Sequence, residues 1–302
     1  MEHINILSLL LLLLVTCAAN RFQNESELSL NRTRRLSFGM FNEDTLRLAK
    51  FMVSIRTRSV RYFYGENHFC GGVIIAPRYV LTSAHCLIIR STRVIYPAYV
   101  LLIVAATPNR LRYQSGISFH SGVERIYVPD NFTLRNEQDI GVLLLTTKFP
   151  RDNKNIAIAK LPYRPVQMGA MCNVMGWGRM YKNGPISATI LHAHIRIQNP
   201  KVCTDLLGIT KKDLLCGTDE DKDVQQHPCG GDRGSPLMYN DLIFGIVSYL
   251  VDCGGYDLPS VYTDVYQSIG WIRRILMNNS NVCHVSLVLL YGAIVLNFLL
   301  IN

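Results

Sequence analysis

Cys229-Gly-Gly-Asp-Arg-Gly-Ser-Pro236 is a stretch of turn-forming residues just ahead of an apolar run, Leu242-Ile-Phe-Gly-Ile-Val247. Short apolar or alternating runs of the same kind recur upstream at Met52-Val-Ser-Ile55, Val73-Ile-Ile75, Tyr99-Val-Leu-Leu-Ile-Val104 and Ile140-Gly-Val-Leu-Leu-Leu145. Gly, Pro, Asn and Asp punctuate them from residue 50 to residue 265. Runs of this length between breakers predict many short β-strands rather than helices. The exception comes late: Val265, Ile269, Ile272 and Leu276 recur at helical spacing and predict one helix with an apolar face. With 302 residues, 49% of them hydrophobic, the chain can bury a large core in one principal domain.

Five further segments give the opening stretch its meaning. Phe69-Cys-Gly-Gly72 precedes Leu81-Thr-Ser-Ala-His85-Cys86, and Asp139-Ile-Gly-Val-Leu-Leu144, Gly176-Trp-Gly178 and Val247-Ser-Tyr249 follow. Together with residues 229–236 they resemble the trypsin and chymotrypsin-like serine proteases, from about Leu36 to Met277. The resemblance implies an all-β fold: two six-stranded antiparallel Greek-key β-barrels with a C-terminal α-helix. It also implies roles. His85 takes the place of the general base, and Asp139 that of the carboxylate that fixes the imidazole tautomer and stabilises the imidazolium. Ser248 takes the place of the serine supporting that carboxylate, and Gly231 falls at the oxyanion-hole position. The chain order of His85, Asp139 and then the nucleophile loop is that of the chymotrypsin type. Family pairing joins Cys70 with Cys86, Cys203 with Cys216, and Cys229 with Cys253. Cys172 lacks its usual mate, since Tyr239 stands there, which leaves Cys283 as a candidate partner.

The nucleophile loop departs from the family's Gly-Asp-Ser-Gly-Gly-Pro. Arg233 stands at the serine and Ser235 at the second glycine. A guanidinium stays protonated and offers no lone pair to a carbonyl carbon. Ser235 is an unfavourable substitute, because two residues along a tight loop displace the hydroxyl from both base and attack line. The scale of the loss is set by subtilisin, where removing the serine costs about 2 × 10⁶ in turnover, roughly 8 to 9 kcal/mol. Arg233 itself either turns inward to His85 and Asp139, reaches out as a plug or hook for an acidic partner, or lies in solvent. The specificity pocket differs too. His227 replaces a floor aspartate, so Lys or Arg preference is not implied, and Leu250 and Ser260 replace wall glycines and narrow the entrance.

The surrounding sequence places the chain outside the cell. Nine cysteines suit an oxidising compartment. Residues 1–19 read as a signal peptide, with an apolar run from Ile4 to Val15 and small residues at Cys17, Ala18 and Ala19. Residues 20–35 read as a propeptide ending in Arg32-Thr-Arg-Arg35, a convertase-type site. Family zymogens use such a cut to free an amino terminus that pairs with the aspartate before the nucleophile, here Leu36 with Asp232. The protease-like domain then runs over 36–280, and the apolar residues 281–302 read as a lipid-anchor signal or membrane segment. Sequons begin at Asn24, Asn31, Asn131 and Asn278.

A formal charge of +9 favours anionic surfaces, and Arg56, Arg58 and Arg61 form its densest cluster in the body of the chain. No nucleic-acid module accompanies the charge. No metal or cofactor is expected, and Asp219 to Asp223 reads as a solvated acidic loop. The expectation is an inactive protease homologue, secreted or on the extracellular face of the plasma membrane. It binds extracellular proteins, such as an active protease or its inhibitor. The alternatives are weak endopeptidase activity through Ser235 and surface adhesion.

Overall fold

The computed structural model describes residues 41–89, 91–133, 137–219, 227–249, 253 and 258–278. After a short helix, α1 (Glu43–Ala49), the chain forms β1 (Met52–Thr57), β2 (His68–Ala76), β3 (Tyr79–Thr82), β4 (Ile88–Ile89) and β5 (Val94–Ile95). It continues through β6 (Leu101–Ala105), β7 (Phe119–Tyr127), β8 (Gly141–Leu145), β9 (Met171–Gly176) and β10 (Leu191–Gln198). Helix α2 (Pro200–Leu207) precedes β11 (Leu214–Asp219), β12 (Pro236–Tyr239), β13 (Leu242–Tyr249) and β14 (Ser260–Asp264). Residues 269–278 form a last helix, α3. Two barrels close, each from six antiparallel strands, in the orders β1-β2-β3-β8-β7-β6 and β10-β11-β14-β13-β12-β9.

The strands read as nearly continuous apolar runs because many are buried on both faces. Successive side chains of a strand point opposite ways. Val53 and Ile55 of β1 therefore fill the first barrel with Ile74, Leu101 and Ile103, while Met52 packs in the seam between barrels with Val73, Met175, Trp177 and Ile246. The second barrel is filled by Cys172, Val174, Ile195, Val247 and Tyr262. Val265, Ile272 and Leu276 pack on the seam as the helical spacing predicts, with Ile275 more deeply buried on that face than Ile269.

Three features differ from the sequence reading. Helices α1 and α2 are additional to the single expected helix. Asn42 and Thr45 close a capping box on α1, and α2 has Asn199 as N-cap, Pro200 in its first turn and the left-handed Gly208 as C-cap. The expected strand from Tyr99 begins only at Leu101, after a 3₁₀ turn over Ala98–Val100. Cys172 is free and fully buried inside the second barrel, so the expected bridge to Cys283 is not formed. The disulfides Cys70–Cys86, Cys203–Cys216 and Cys229–Cys253 are all present. They close loops of 16, 13 and 24 residues, and constraint of the unfolded chain on this scale contributes about 3 kcal/mol each.

Candidate active site

The two barrels bring the sequence-predicted residues together at the seam. His85 lies on a 3₁₀ turn, Ala84–Leu87, that leaves β3, and Asp139 lies just ahead of β8, the strand paired to β3. Asp139 is fully buried and its side chain is surrounded by donors. Its Oδ1 accepts from Ser83 Oγ at 2.6 Å and from the His85 backbone N–H at 2.9 Å, and it lies 3.0 Å from His85 Nδ1. Its Oδ2 accepts from Ser248 Oγ at 2.6 Å, and its backbone carbonyl accepts from Thr263 Oγ1 at 2.9 Å. Burial alone would raise the Asp139 pKa, but the hydrogen bond and charge of His85 and the hydroxyls of Ser248 and Ser83 outweigh it and hold the carboxyl below its ordinary value.

Arg233 points inward. Its side chain is only 14% exposed, and Nη1 lies 3.9 Å from Asp139 Oδ2, within range of an ion pair but beyond a hydrogen bond. The carbonyl of Arg233 accepts from Gly71 N–H at 2.9 Å, which ties the loop to β2 of the first barrel. Gly234 follows at φ +82, and a Cβ there would stand 2.2 Å from Thr82 Oγ1 and 2.5 Å from the Gly71 carbonyl. Close approach and left-handed backbone both require glycine at this point.

Ser235 is enclosed between Gly71 and Gly176. The residue is fully buried. Its Oγ fills space that only glycine leaves open, 2.1 Å from where a Gly71 Cβ would stand and 3.1 Å from that of Gly176. Its hydroxyl is thus packed into the seam between the barrels.

Residues 42–272 match the pattern of the trypsin family. The chain belongs to the trypsin family. It is 28% identical over 232 residues to snake venom serine protease HS112 of Bothrops jararaca, covering 74% of this chain and 83% of the relative. Chymotrypsin-2 of Vespa crabro is 32% identical over 210 residues, covering 68% and 88% respectively. Beta-fibrinogenase brevinase of Gloydius blomhoffii is 32% identical over 231 residues, covering 74% and 93%.

His227 and Ser260, expected at the specificity pocket, are both buried and meet directly, with His227 Nδ1 2.9 Å from Ser260 Oγ. Leu250 lies outside the described residues, as do Arg35, Leu36, Asn24, Asn31, Cys283, the acidic residues 220–223 and the tail 281–302. Asp232 is fully buried, with Oδ1 accepting from Gly178 N–H at 2.7 Å and Oδ2 from Cys229 N–H at 2.9 Å. Burial pushes its carboxyl up to about 7, offset only in part by those two amides. Gly231 adopts φ +105, and its carbonyl lies 3.2 Å from His68 Nε2. Asn131 and Asn278 are exposed. Among the described residues no cluster of His, Cys, Asp or Glu is arranged to hold a metal, and no helix is long and apolar enough to cross a membrane.

Several residues around the site were not anticipated. Phe132 packs edge-on against His85, with ring centroids 5.1 Å apart and planes at 89°. His68 is buried with Nδ1 2.8 Å from Ser54 Oγ. Burial, then the charges of Arg110 and Arg56, lower its pKa to about 3 against the pull of the Gly231 carbonyl. Arg56 and Arg110 are buried stitches rather than solvated charges. Arg56 donates to Ser54 Oγ at 2.9 Å and to the Arg110 carbonyl at 2.9 Å. Arg110 donates to the carbonyls of Ser187, Gly65 and Ile186 at 2.7, 2.6 and 3.0 Å. Ser83 had a signal, since it lies two residues before His85; the arginines had none that distinguishes them from surface charge.

Proposed function

We propose that this trypsin-family protein is catalytically inert and acts outside the cell by binding other proteins, as cofactor, decoy or adaptor in a protease network. The observation that carries the reading is Arg233. It occupies the nucleophile's place in the loop and turns its cation toward Asp139, at 3.9 Å. A group with no available lone pair cannot form the acyl intermediate on which this reaction class depends. The seat of Ser235 between Gly71 and Gly176 supports the same reading, because a hydroxyl packed into the seam is not presented to a substrate. The three disulfides support an extracellular setting. Release of Leu36 by cleavage after Arg35, and its docking on Asp232, belong to the same proposal, as does membrane attachment through residues 281–302.

The barrels and the His85–Asp139 geometry hold the shape of a protease cleft, so the partners that fit it are those that recognise such a shape: an inhibitor, or a protein substrate held without cleavage. The test is treatment of the processed protein with a fluorophosphonate probe and a broad peptide library. Neither labelling nor cleavage is expected. Covalent labelling at Ser235 together with cleavage would overturn the proposal. Arg233→Ser is the companion variant and should recover slight activity at most, because the pocket residues His227, Leu250 and Ser260 remain. Robust turnover by that variant would show that the pocket is not a second barrier.

A further inference from the structure

A groove of about 550 Å³ runs between the loop ahead of β8 and the C-terminal helix, lined by Asp130, Asn131, Gln138, Gln267, Trp271 and Arg274. Its chemistry is specific. One partly exposed indole faces it beside carboxamides, with a single acid and a single base at the rim. This is neither an apolar trough nor a charged patch. Ser268 also lines it, and although that residue is only 3% exposed, its Oγ has no hydrogen-bond partner among the described residues. A buried hydroxyl without a partner is costly unless something polar occupies the space beside it. A ring with an apolar face and many hydroxyls satisfies both the indole and the hydroxyl.

The wall of this groove supplies the sugar's attachment point. Asn131-Phe-Thr133 is an acceptor sequon and Asn131 is exposed within the lining, while Thr133 is pinned by a backbone bond to Glu137. We propose that Asn131 carries an N-glycan whose first N-acetylglucosamine units lie in the groove against Trp271. Attachment takes an oligosaccharide from a polyprenyl-pyrophosphate donor. The side-chain amide nitrogen forms a bond to the sugar's C1, the bond from C1 to the pyrophosphate oxygen breaks, and the amide gives up one proton, with no change in oxidation state. The residue between the two ends of the sequon is Phe132, whose ring covers the edge of His85. The glycan therefore stands at the rim of the cleft and limits what approaches His85 from that side.

The experiment uses the full chain secreted from a eukaryotic host. Digestion and glycopeptide mass spectrometry should find Asn131 occupied; an unmodified Asn131 overturns the proposal. Seating is read separately, by the rate at which a peptide N-glycosidase removes the glycan from the native protein. We expect release about tenfold slower than from the denatured chain, the factor that 1.4 kcal/mol of contact supplies. Arg274→Ala, at an exposed lining position, and Trp271→Ala should both bring the native rate toward the denatured one while leaving occupancy intact. Equal rates in the unmutated protein overturn the seating. A final arm adds free chitobiose to Asn131→Gln protein and follows Trp emission. Binding there at low concentration, with Asn131 unmodified in the parent, would assign the groove to a free oligosaccharide and replace the proposal.

Discussion

Asp139 and Asp232 are equally buried carboxylates in the same centre, yet their environments shift their pKa values in opposite directions. Asp139 has hydroxyls from Ser83 and Ser248, a backbone amide, the His85 ring and, further off, the Arg233 guanidinium. Its pKa is held down. Asp232 has two backbone amides and nothing more among the described residues, and its pKa rises to about 7. Desolvation is common to both, so partner chemistry decides the outcome. The linkage to stability then has opposite signs. Asp139 contributes stability above its unfolded pKa, which is lost as pH falls through its folded value. Asp232 costs nothing while protonated in both states. Its folded form holds a proton that the unfolded chain releases, so stability declines as pH rises from about 4 to about 7.

The most damaging way to break this comparison is Asp139→Ala. It leaves the Ser83 and Ser248 hydroxyls without their acceptor and the buried Arg233 cation without its carboxylate, and should cost about 3–5 kcal/mol in denaturant unfolding. A loss under about 1 kcal/mol would mean that the cluster is not the stabilising feature its geometry implies. Next in size is the pH profile of the uncleaved chain. Asp232→Asn should be stabilised relative to the unmutated chain by a margin that grows between about pH 4 and 7, a difference that isolates Asp232 from the opposite rise contributed by His68, whose pKa is lowered to about 3. The same profile sharpens the activation proposal. If cleavage after Arg35 delivers the Leu36 amino group to Asp232, a cationic partner lowers the carboxyl's pKa and that margin shrinks over about pH 4 to 7, whereas an unchanged margin in the cleaved chain would remove Leu36 from that role. The smallest expected effect is that of Ser248→Ala, about 1.5–3 kcal/mol for a hydrogen bond to a charged acceptor, with the loss vanishing in acid once Asp139 is protonated.

The double barrel was legible because its evidence is local: short apolar runs between breakers, and motifs around His85, Asp139 and residues 229–236. The three disulfides followed from the family pattern. Helix α1 was not legible, since seven residues carry little periodicity and the helix is fixed by tertiary contacts. Thr45 Oγ1 lies 2.8 Å from His192 Nδ1, and Leu48 sits in the seam. Helix α2 had readable ends in Asn199-Pro200 and Gly208 that outweigh its modest apolar content. The direction of Arg233 depends on which barrel walls enclose it, a fact of three dimensions that no spacing encodes. The same is true of Arg56 and Arg110, whose partners are mostly backbone carbonyls brought close by folding.

Cys172 carries a consequence of another kind. Its thiol is enclosed by the second barrel and burial pushes its pKa up to about 12, so neither thiolate nor access is available to a reagent while that barrel is closed. Among the described residues every other cysteine is locked in a disulfide. Alkylation of Cys172 at neutral pH therefore acts as a clock for one half of the molecule, ticking only when strands of the second barrel part.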